Sequence, residues 1–310
     1  MARQIVTGAY GFTGKYLADR LLGDGHQVHT LTNSPRRDNP FGERVTASPY
    51  YFDQPRRLQE ALQGADVLYN TYWVRFNADQ FTFQEAIKNS KTLMQAAREA
   101  GVRRIVHISI TNPSIDSDLA YFRGKAVVEN FLQSLDVSHA ILRPAVLFGK
   151  ESILINNIAW ALRRLPVFGV FGDGTYRLEP IHVADLAQLA VREGHGEGNV
   201  VIDAIGPEVY TFRELVKAIG KHVGAPRPVI SVPPRFGYLA GWVMGKIMGD
   251  VLLTWEEIQG LMRGLLYTGS DPAGERSLNA WLEKHGEWLG HSYASEMARR
   301  RNRELSYQDL

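Results

Sequence analysis

The chain has 310 residues, enough for two domains or one enlarged α/β domain with a substantial core. With 45% hydrophobic and 22% charged residues its composition is that of an ordinary globular protein, which excludes collagen-like and low-complexity classes. The 35 Lys and Arg residues against 33 Asp and Glu leave a formal charge of only +2, which argues against nucleic acid as a partner, and the absence of cysteine removes disulfides, zinc–thiolate sites and cysteine nucleophiles.

Met1 to Val6 enter a strand-like run at once, without the apolar stretch and cleavage site of a signal peptide, so the cytoplasm is the expected compartment. Short β-branched runs then alternate with amphipathic stretches, the pattern of βαβ units around a parallel sheet. Strands are expected at Gln4 to Thr7, Gln27 to Thr32, Val45 to Ala47, Val67 to Asn70, Arg104 to Ser109 and Ser138 to Leu142. Helices are expected between them at Gly14 to Leu22, Pro55 to Leu62, Phe83 to Ala100 and Tyr121 to Ser134, with Gly101 suited to a left-handed C-cap. A further strand, Asn199 to Ala204, follows an interruption over about 151–179 that reads as an insertion. From Thr211 onward the pattern is helical and loop-rich, and Thr211/Glu214 and Thr254/Glu257 have capping-box spacing. The most apolar later segment, Phe236 to Leu253, is broken by Lys246 and Asp250, so it reads as a buried helix or partner-facing surface and not as a membrane span. The run Arg299, Arg300, Arg301 and Arg303 reads as a solvated face.

Between the first strand and first helix stands Thr7-Gly8-Ala9-Tyr10-Gly11-Phe12-Thr13-Gly14. Glycines at such a turn permit positive φ and close approach of a pyrophosphate, whose charge is stabilised by free N–H groups at the helix N-terminus. The spacing is G-x-x-G-x-x-G. The expected fold class is therefore α/β, a Rossmann-type doubly wound parallel sheet with a smaller, mostly helical C-terminal substrate-binding lid. Residues 1–150 with about 180–206 would form the dinucleotide-binding domain, and about 151–179 with 207–310 the substrate-binding region.

The end of the second strand bears on which dinucleotide. A carboxylate there would accept hydrogen bonds from the ribose hydroxyls and repel a 2′-phosphate. Asn33, Ser34, Arg36 and Arg37 stand there instead, offering an amide, a hydroxyl and two guanidinium groups, so NADP(H) is preferred and NAD(H) is the alternative. Asp53, after the third strand, is placed to receive the adenine amino group or to sit in an exposed turn.

A second constellation is Ile108-Ser109-Ile110-Thr111 at the end of the fifth strand, followed by Tyr121 and Lys125, four apart on one helical face. A tyrosine with a pKa near 10 is a poor acid–base group at neutral pH, but an adjacent ammonium stabilises its phenolate. A hydroxyl at the preceding strand end would polarise a substrate carbonyl. His26, His29 and His107 do not form a spaced metal set, so no metal is expected.

With these elements in order, the chain resembles an extended or atypical short-chain dehydrogenase/reductase of the NAD(P)-dependent epimerase/dehydratase superfamily. Arg143-Pro144-Ala145-Val146-Leu147-Phe148-Gly149, Gly172-Asp173-Gly174 and Ile181-His182-Val183-Ala184-Asp185 resemble further segments of that superfamily. The resemblance implies that Asn70, Thr71 and Tyr72 line the cofactor, together with Ile108, Lys125, Arg143, Pro144, Ala145 and Val146, while His182 and Asp185 support the start of the substrate region. Extended members carry two adjacent hydroxyl residues after the fifth strand. Here Ile110 follows Ser109, so either Ser109 or Thr111 fills the catalytic role. The short spacing to Tyr121 resembles atypical members such as the nucleotide-binding accessory subunit of respiratory complex I.

The resemblance implies an NADP(H)-dependent oxidoreductase that moves a hydride to or from a carbonyl or alcohol, with Tyr121 as acid/base and Lys125 and Ser109 or Thr111 assisting. The alternatives are a nucleotide-sugar epimerase or dehydratase, and a non-catalytic NADPH-binding module that uses the apolar Phe236 to Leu253 segment and its surroundings to hold a partner or a membrane surface. The partners expected are a small-molecule substrate and a protein partner or second copy. Trp73, Arg75 and Phe76 lie where a substrate rim would be; Asn156 and Asn157, ahead of Trp160, Arg163 and Arg164, read as helix caps or substrate contacts; Arg177 reads as a surface or anion-facing residue.

Overall fold

The short apolar runs Val67-Leu68-Tyr69 and Ile105-Val106 suit strands buried on both faces, and that is how they are used. The computed structural model describes residues 2–78 and 81–306. In chain order it runs β1 (Arg3–Thr7), α1 (Phe12–Gly23), β2 (Gln27–Leu31), β3 (Val45–Ser48), α2 (Pro55–Leu62), β4 (Ala65–Asn70), α3 (Phe83–Glu99), β5 (Arg104–Ile108), α4 (Ala120–Ser134) and β6 (Ser138–Pro144). A second compact unit then begins with β7 (Val146–Phe148), α5 (Ile153–Arg164), β8 (Phe168–Phe171), β9 (Arg177–Leu178) and β10 (Pro180–His182). The chain returns to the first unit for α6 (Val183–Gly194) and β11 (Val200–Ala204). It completes the second with β12 (Tyr210–Thr211), α7 (Phe212–His222), β13 (Val229–Val232), α8 (Pro234–Met248), α9 (Trp255–Met262), α10 (Leu278–His285) and α11 (Glu296–Arg301).

The first unit is a parallel seven-stranded sheet in the order β11-β6-β5-β4-β1-β2-β3. Strand order reverses between β1 and β4, so their carboxyl ends define the switch-point crevice where open α/β sheets take ligands. Side chains alternate across the sheet. Leu68 packs with Leu58, Leu93, Val128 and Leu132 from α2, α3 and α4, whereas Tyr69 points to the other face, against Gly194 of α6. The second unit has its own core, in which Phe148, Ile155, Leu162, Val170, Phe212, Leu215 and Leu282 are buried together.

The capping boxes at Thr211/Glu214 and Thr254/Glu257 both form, joined by one at Thr82/Glu85 on α3. Gly101 takes the left-handed conformation, φ 75°. Two expectations are corrected, the start of the second unit and the exposure of the arginine run. The second unit begins at Ala145 and runs through His182, because β7 pairs with β10 and not with the large sheet. The later part is mostly helical, as expected, with one added strand: β13 pairs in parallel with β8 and is set between prolines that mask its pattern. Arg299 is buried and donates to the Glu151 carbonyl (2.9 Å), so that run is not wholly a solvated face.

The α6–sheet contact depends on Gly194 lacking a side chain, since a Cβ there would lie 2.1 Å from Tyr69 Oη, a buried hydroxyl without a hydrogen-bond partner among the described residues. Gly194→Ala is expected to cost about 1–3 kcal/mol by overpacking, and Tyr69→Phe to cost little alone and to return part of that loss in the double variant. Urea unfolding of the four proteins checks this; additive effects would contradict the contact.

Candidate active site

The loop after β1 is built by hydrogen bonds that leave its tip open. Gly8 N–H donates to Leu31 O (2.8 Å) and Gly11 N–H to Gly8 O (2.8 Å). Thr30 Oγ1 donates to Val6 O (2.8 Å) and accepts from Ala9 N–H (2.9 Å). The left-handed residue is Gly8, φ 65°, while Gly11 is extended (φ −94°, ψ 179°) and is the N-cap of α1 without a side-chain cap. A Cβ on Gly14 would stand 2.2 Å from Gly8 O, so α1 sits against the turn at a distance only glycine allows. The N–H groups of Phe12, Thr13 and Gly14 open α1 and have no intrahelical acceptor. This cradle fits a dinucleotide pyrophosphate. Tyr10 contributes only backbone: its ring is buried and its hydroxyl reaches Val45 O (3.5 Å), burial raising its pKa.

At the end of β2, Asn33 and Arg36 are exposed and Ser34 half-buried, with Ser34 N–H donating to Thr32 Oγ1 (3.0 Å). Arg37 does not stand with them as a second phosphate-facing guanidinium. It is buried and donates to the carbonyl of Leu305, 268 residues away, while Asp38 N–H donates to Glu304 O (2.8 Å). The segment from Arg303 thus closes on this loop, and Arg303 itself reaches Asn33 O (3.5 Å). The sequence gives no local sign of this cation, since only folding brings it here. Asp53 is exposed.

At the end of β4, Thr71 and Thr7 bind each other across the crevice: Thr71 N–H donates to Thr7 Oγ1 (2.7 Å) and Thr71 Oγ1 to Thr7 O (2.6 Å). The Asn70 side chain faces the interior, its Nδ2 donating to His107 Nδ1 (3.1 Å) and its Oδ1 accepting from Tyr72 N–H (3.1 Å). It orders the strand end and leaves lining to Thr71. His107 is fully buried, and burial with the Lys125 charge holds its pKa well below the ordinary value, so the ring is neutral. Tyr72 packs against Tyr50 and Phe52 and accepts from Asn89 Nδ2 (3.0 Å).

β5 and α4 bring together Ser109, Lys125, Tyr121 and Trp73. Ser109 Oγ is buried and, among the described residues, has no hydrogen-bond partner, although its N–H donates to Leu142 O (2.7 Å). Thr111 is fully buried, its N–H on Pro144 O (3.1 Å). Lys125 Nζ donates to Ile108 O (2.9 Å) and lies 4.6 Å from the centre of the Trp73 ring. Trp73 also meets the half-buried Tyr121 edge to face at 6.0 Å, and its buried Nε1 has no partner among the described residues. Arg143 forms a bidentate pair with the buried Glu129 (3.1 and 2.5 Å). Pro144, Ala145 and Val146 are buried at the end of β6 and start of β7.

The weaker candidates are structural. Asn156 and Asn157 lie inside α5 and hold the segment after α10, accepting from Gly290 N–H (3.0 Å) and Ala294 N–H (3.0 Å); they are not caps. Arg163 and Arg164 donate to Leu289 O (2.7 Å) and Gly290 O (2.9 Å). Arg177 stacks 3.7 Å over Tyr267, Arg75 lies 5.8 Å from Phe76, and His182 meets Phe148 edge to face at 5.0 Å. No group of three His, Asp or Glu suited to a metal exists among the described residues.

Burial drives the Lys125 pKa from 10.5 down to about 7, partly offset by the Glu129 charge. Above about 7 and up to 10.5 the unfolded chain holds a proton that the folded chain has released, so stability rises with pH across this window; below it both states are protonated and the folded state bears the full cost of the buried ammonium. Lys125→Met is expected to remove that part of the rise between neutral and alkaline pH. Urea midpoints of both proteins measure it, and parallel curves would contradict it.

The model of the NAD dependent epimerase/dehydratase family matches residues 4–193. An Arabidopsis thaliana mitochondrial protein named NADH dehydrogenase [ubiquinone] 1 alpha subcomplex subunit 9 is 27% identical over 68% of this chain, a match that spans only 56% of that protein's length. A UDP-glucose 4-epimerase from Mycolicibacterium smegmatis is 29% identical over 86% of this chain and 97% of its own. Among solved structures, an NADPH-dependent quinone oxidoreductase from Escherichia coli, complexed with NADPH, shares the fold at TM-score 0.71 and 19% identity, covering 91% of this chain and 99% of its own. With its Rossmann-type sheet, its glycine cradle after β1 and a family model that spans more than half its length, the chain belongs to the NAD-dependent epimerase/dehydratase family.

Proposed function

We propose that this protein is an NADP(H)-dependent oxidoreductase that transfers a hydride to or from a carbonyl or alcohol carbon. The observation that carries the reading is the buried hydroxyl of Ser109 at the carboxyl end of β5, without a hydrogen-bond partner among the described residues and one residue beyond the carbonyl that holds Lys125. An unpaired buried hydroxyl costs about 1–3 kcal/mol, and a substrate oxygen would supply the missing bond. When bound, the nicotinamide supplies or accepts the hydride. Ser109 Oγ donates to the substrate oxygen and orients it. Tyr121 Oη moves the proton to or from that oxygen, and Lys125 favours the phenolate by its charge. The packed indole of Trp73 keeps water from the tyrosine and the ammonium.

The preference for the phosphorylated cofactor rests on Ser34 and Arg36 at the end of β2, with Arg303 brought beside Asn33, and on the lack of a carboxylate there. The protein from Escherichia coli that shares the fold was solved with NADPH. A second reading, an epimerase that restores its cofactor within each turnover, is favoured by the match along 97% of the Mycolicibacterium smegmatis UDP-glucose 4-epimerase. Retained NAD with no net consumption distinguishes it.

Two measurements test the proposal. In fluorescence titrations NADPH is expected to bind about tenfold or more tightly than NADH, and Arg36→Ala to remove most of the difference; equal affinities would contradict the preference. On any carbonyl that supports NADPH oxidation, Tyr121→Phe is expected to lower kcat by about 10²-fold at unchanged NADPH affinity, and Ser109→Ala to reduce turnover where Thr111→Ser does not. Full activity in Tyr121→Phe would overturn the acid–base assignment.

A further inference from the structure

Helix α8 wears its apolar side outward. Phe236, Leu239, Trp242, Val243 and Ile247 are 71%, 55%, 51%, 44% and 77% exposed, where an ordinary surface helix buries such residues. At 100° per residue Phe236, Leu239, Ala240, Val243 and Ile247 fall on one stripe. The side away from the stripe carries Gly237 and Gly245 with the half-buried Tyr238, Met244 and Met248. A Cβ on Gly237 would lie 2.5 Å from the Phe171 ring and one on Gly245 2.7 Å from the Asp250 carbonyl, so close seating of the backbone is what fixes this side. Arg235, Trp242 and Lys246 line one edge of the stripe, with the Lys246 ammonium 5.6 Å from the Trp242 ring. No carboxylate occurs in α8. The next one along the chain, Asp250, is turned inward, where it accepts from Tyr293 Oη (2.7 Å), Glu296 N–H (3.1 Å) and Met297 N–H (3.0 Å).

We infer that α8 is an interfacial helix that docks this protein onto an anionic lipid surface. Its apolar stripe would sit in the boundary between headgroups and acyl chains, with Arg235 and Lys246 at the level of the phosphates and Trp242 at the interface. Both exposed charges are positive, which complements anionic headgroups. The face is that of one 15-residue helix, about 22 Å long, and a bilayer receives it without a complementary groove. No helix among the described residues is long and apolar enough to cross a membrane, so the helix would lie on the surface.

Co-sedimentation of the full chain with phosphatidylcholine vesicles, with and without phosphatidylglycerol, tests the inference. The protein is expected to bind the phosphatidylglycerol vesicles, less at high salt, and to lose about fivefold in affinity for each of Arg235→Ala and Lys246→Ala. The triple variant Phe236→Ser, Val243→Ser, Ile247→Ser is expected to lose vesicle binding while keeping its Tm and its NADPH titration, because all three side chains are already in solvent. Brominated lipid should quench the part of the fluorescence that Trp242→Phe removes. Failure to bind either vesicle, or equal binding by the triple variant, would overturn the inference. A dimer that the triple variant converts to monomer, without vesicle binding in either protein, would assign the face to a second copy instead.

Discussion

The backbone of α1 rests on the carbonyl of Gly8 at a distance that admits no side chain at Gly14, and the organisation of the first unit follows from that approach. It aims the first turn of α1 at the crevice, so that three N–H groups face one point and the helix dipole favours negative charge there. The reciprocal Thr7–Thr71 bonds then pin the two strands on either side of the switch point. The geometry resists distortion because it is held by backbone, a left-handed glycine and short threonine side chains.

Around Lys125 charge is managed by the buried carboxylate of Glu129. Glu129 pairs directly with Arg143 and raises the pKa of Lys125 one helical turn away, against the larger effect of burial. Lys125 therefore stands near its titration point, held by Ile108 O and the Trp73 face. Negative charge arriving close to it would favour the ammonium, which couples ligand binding to proton uptake. Arg143 belongs to this balance through its pair with Glu129.

The glycine turn, the strand order of the first half and the capping boxes were legible because each is local: a turn residue next to a strand, a period of two or 3.6, a threonine three before a glutamate. Pro55–Leu62 falls where its proline start and period place it. What the sequence hid is non-local. Arg37 and Asn156 look available in a linear reading, but their partners lie 268 and 134 residues away. Trp73 reads as a rim residue, and only the packing of α4 against it brings it onto Lys125 and Tyr121. That Ser109 Oγ has no hydrogen-bond partner among the described residues is likewise invisible in spacing.

The most direct test of the account is a crystal structure of the protein with NADPH. The pyrophosphate is expected against the N–H groups of Phe12 and Thr13, the 2′-phosphate beside Ser34 and Arg36, and the nicotinamide ring over the end of β5 within reach of Tyr121. A nucleotide bound elsewhere, or a saturated soak that leaves the turn at Gly8 to Gly14 empty, would contradict it.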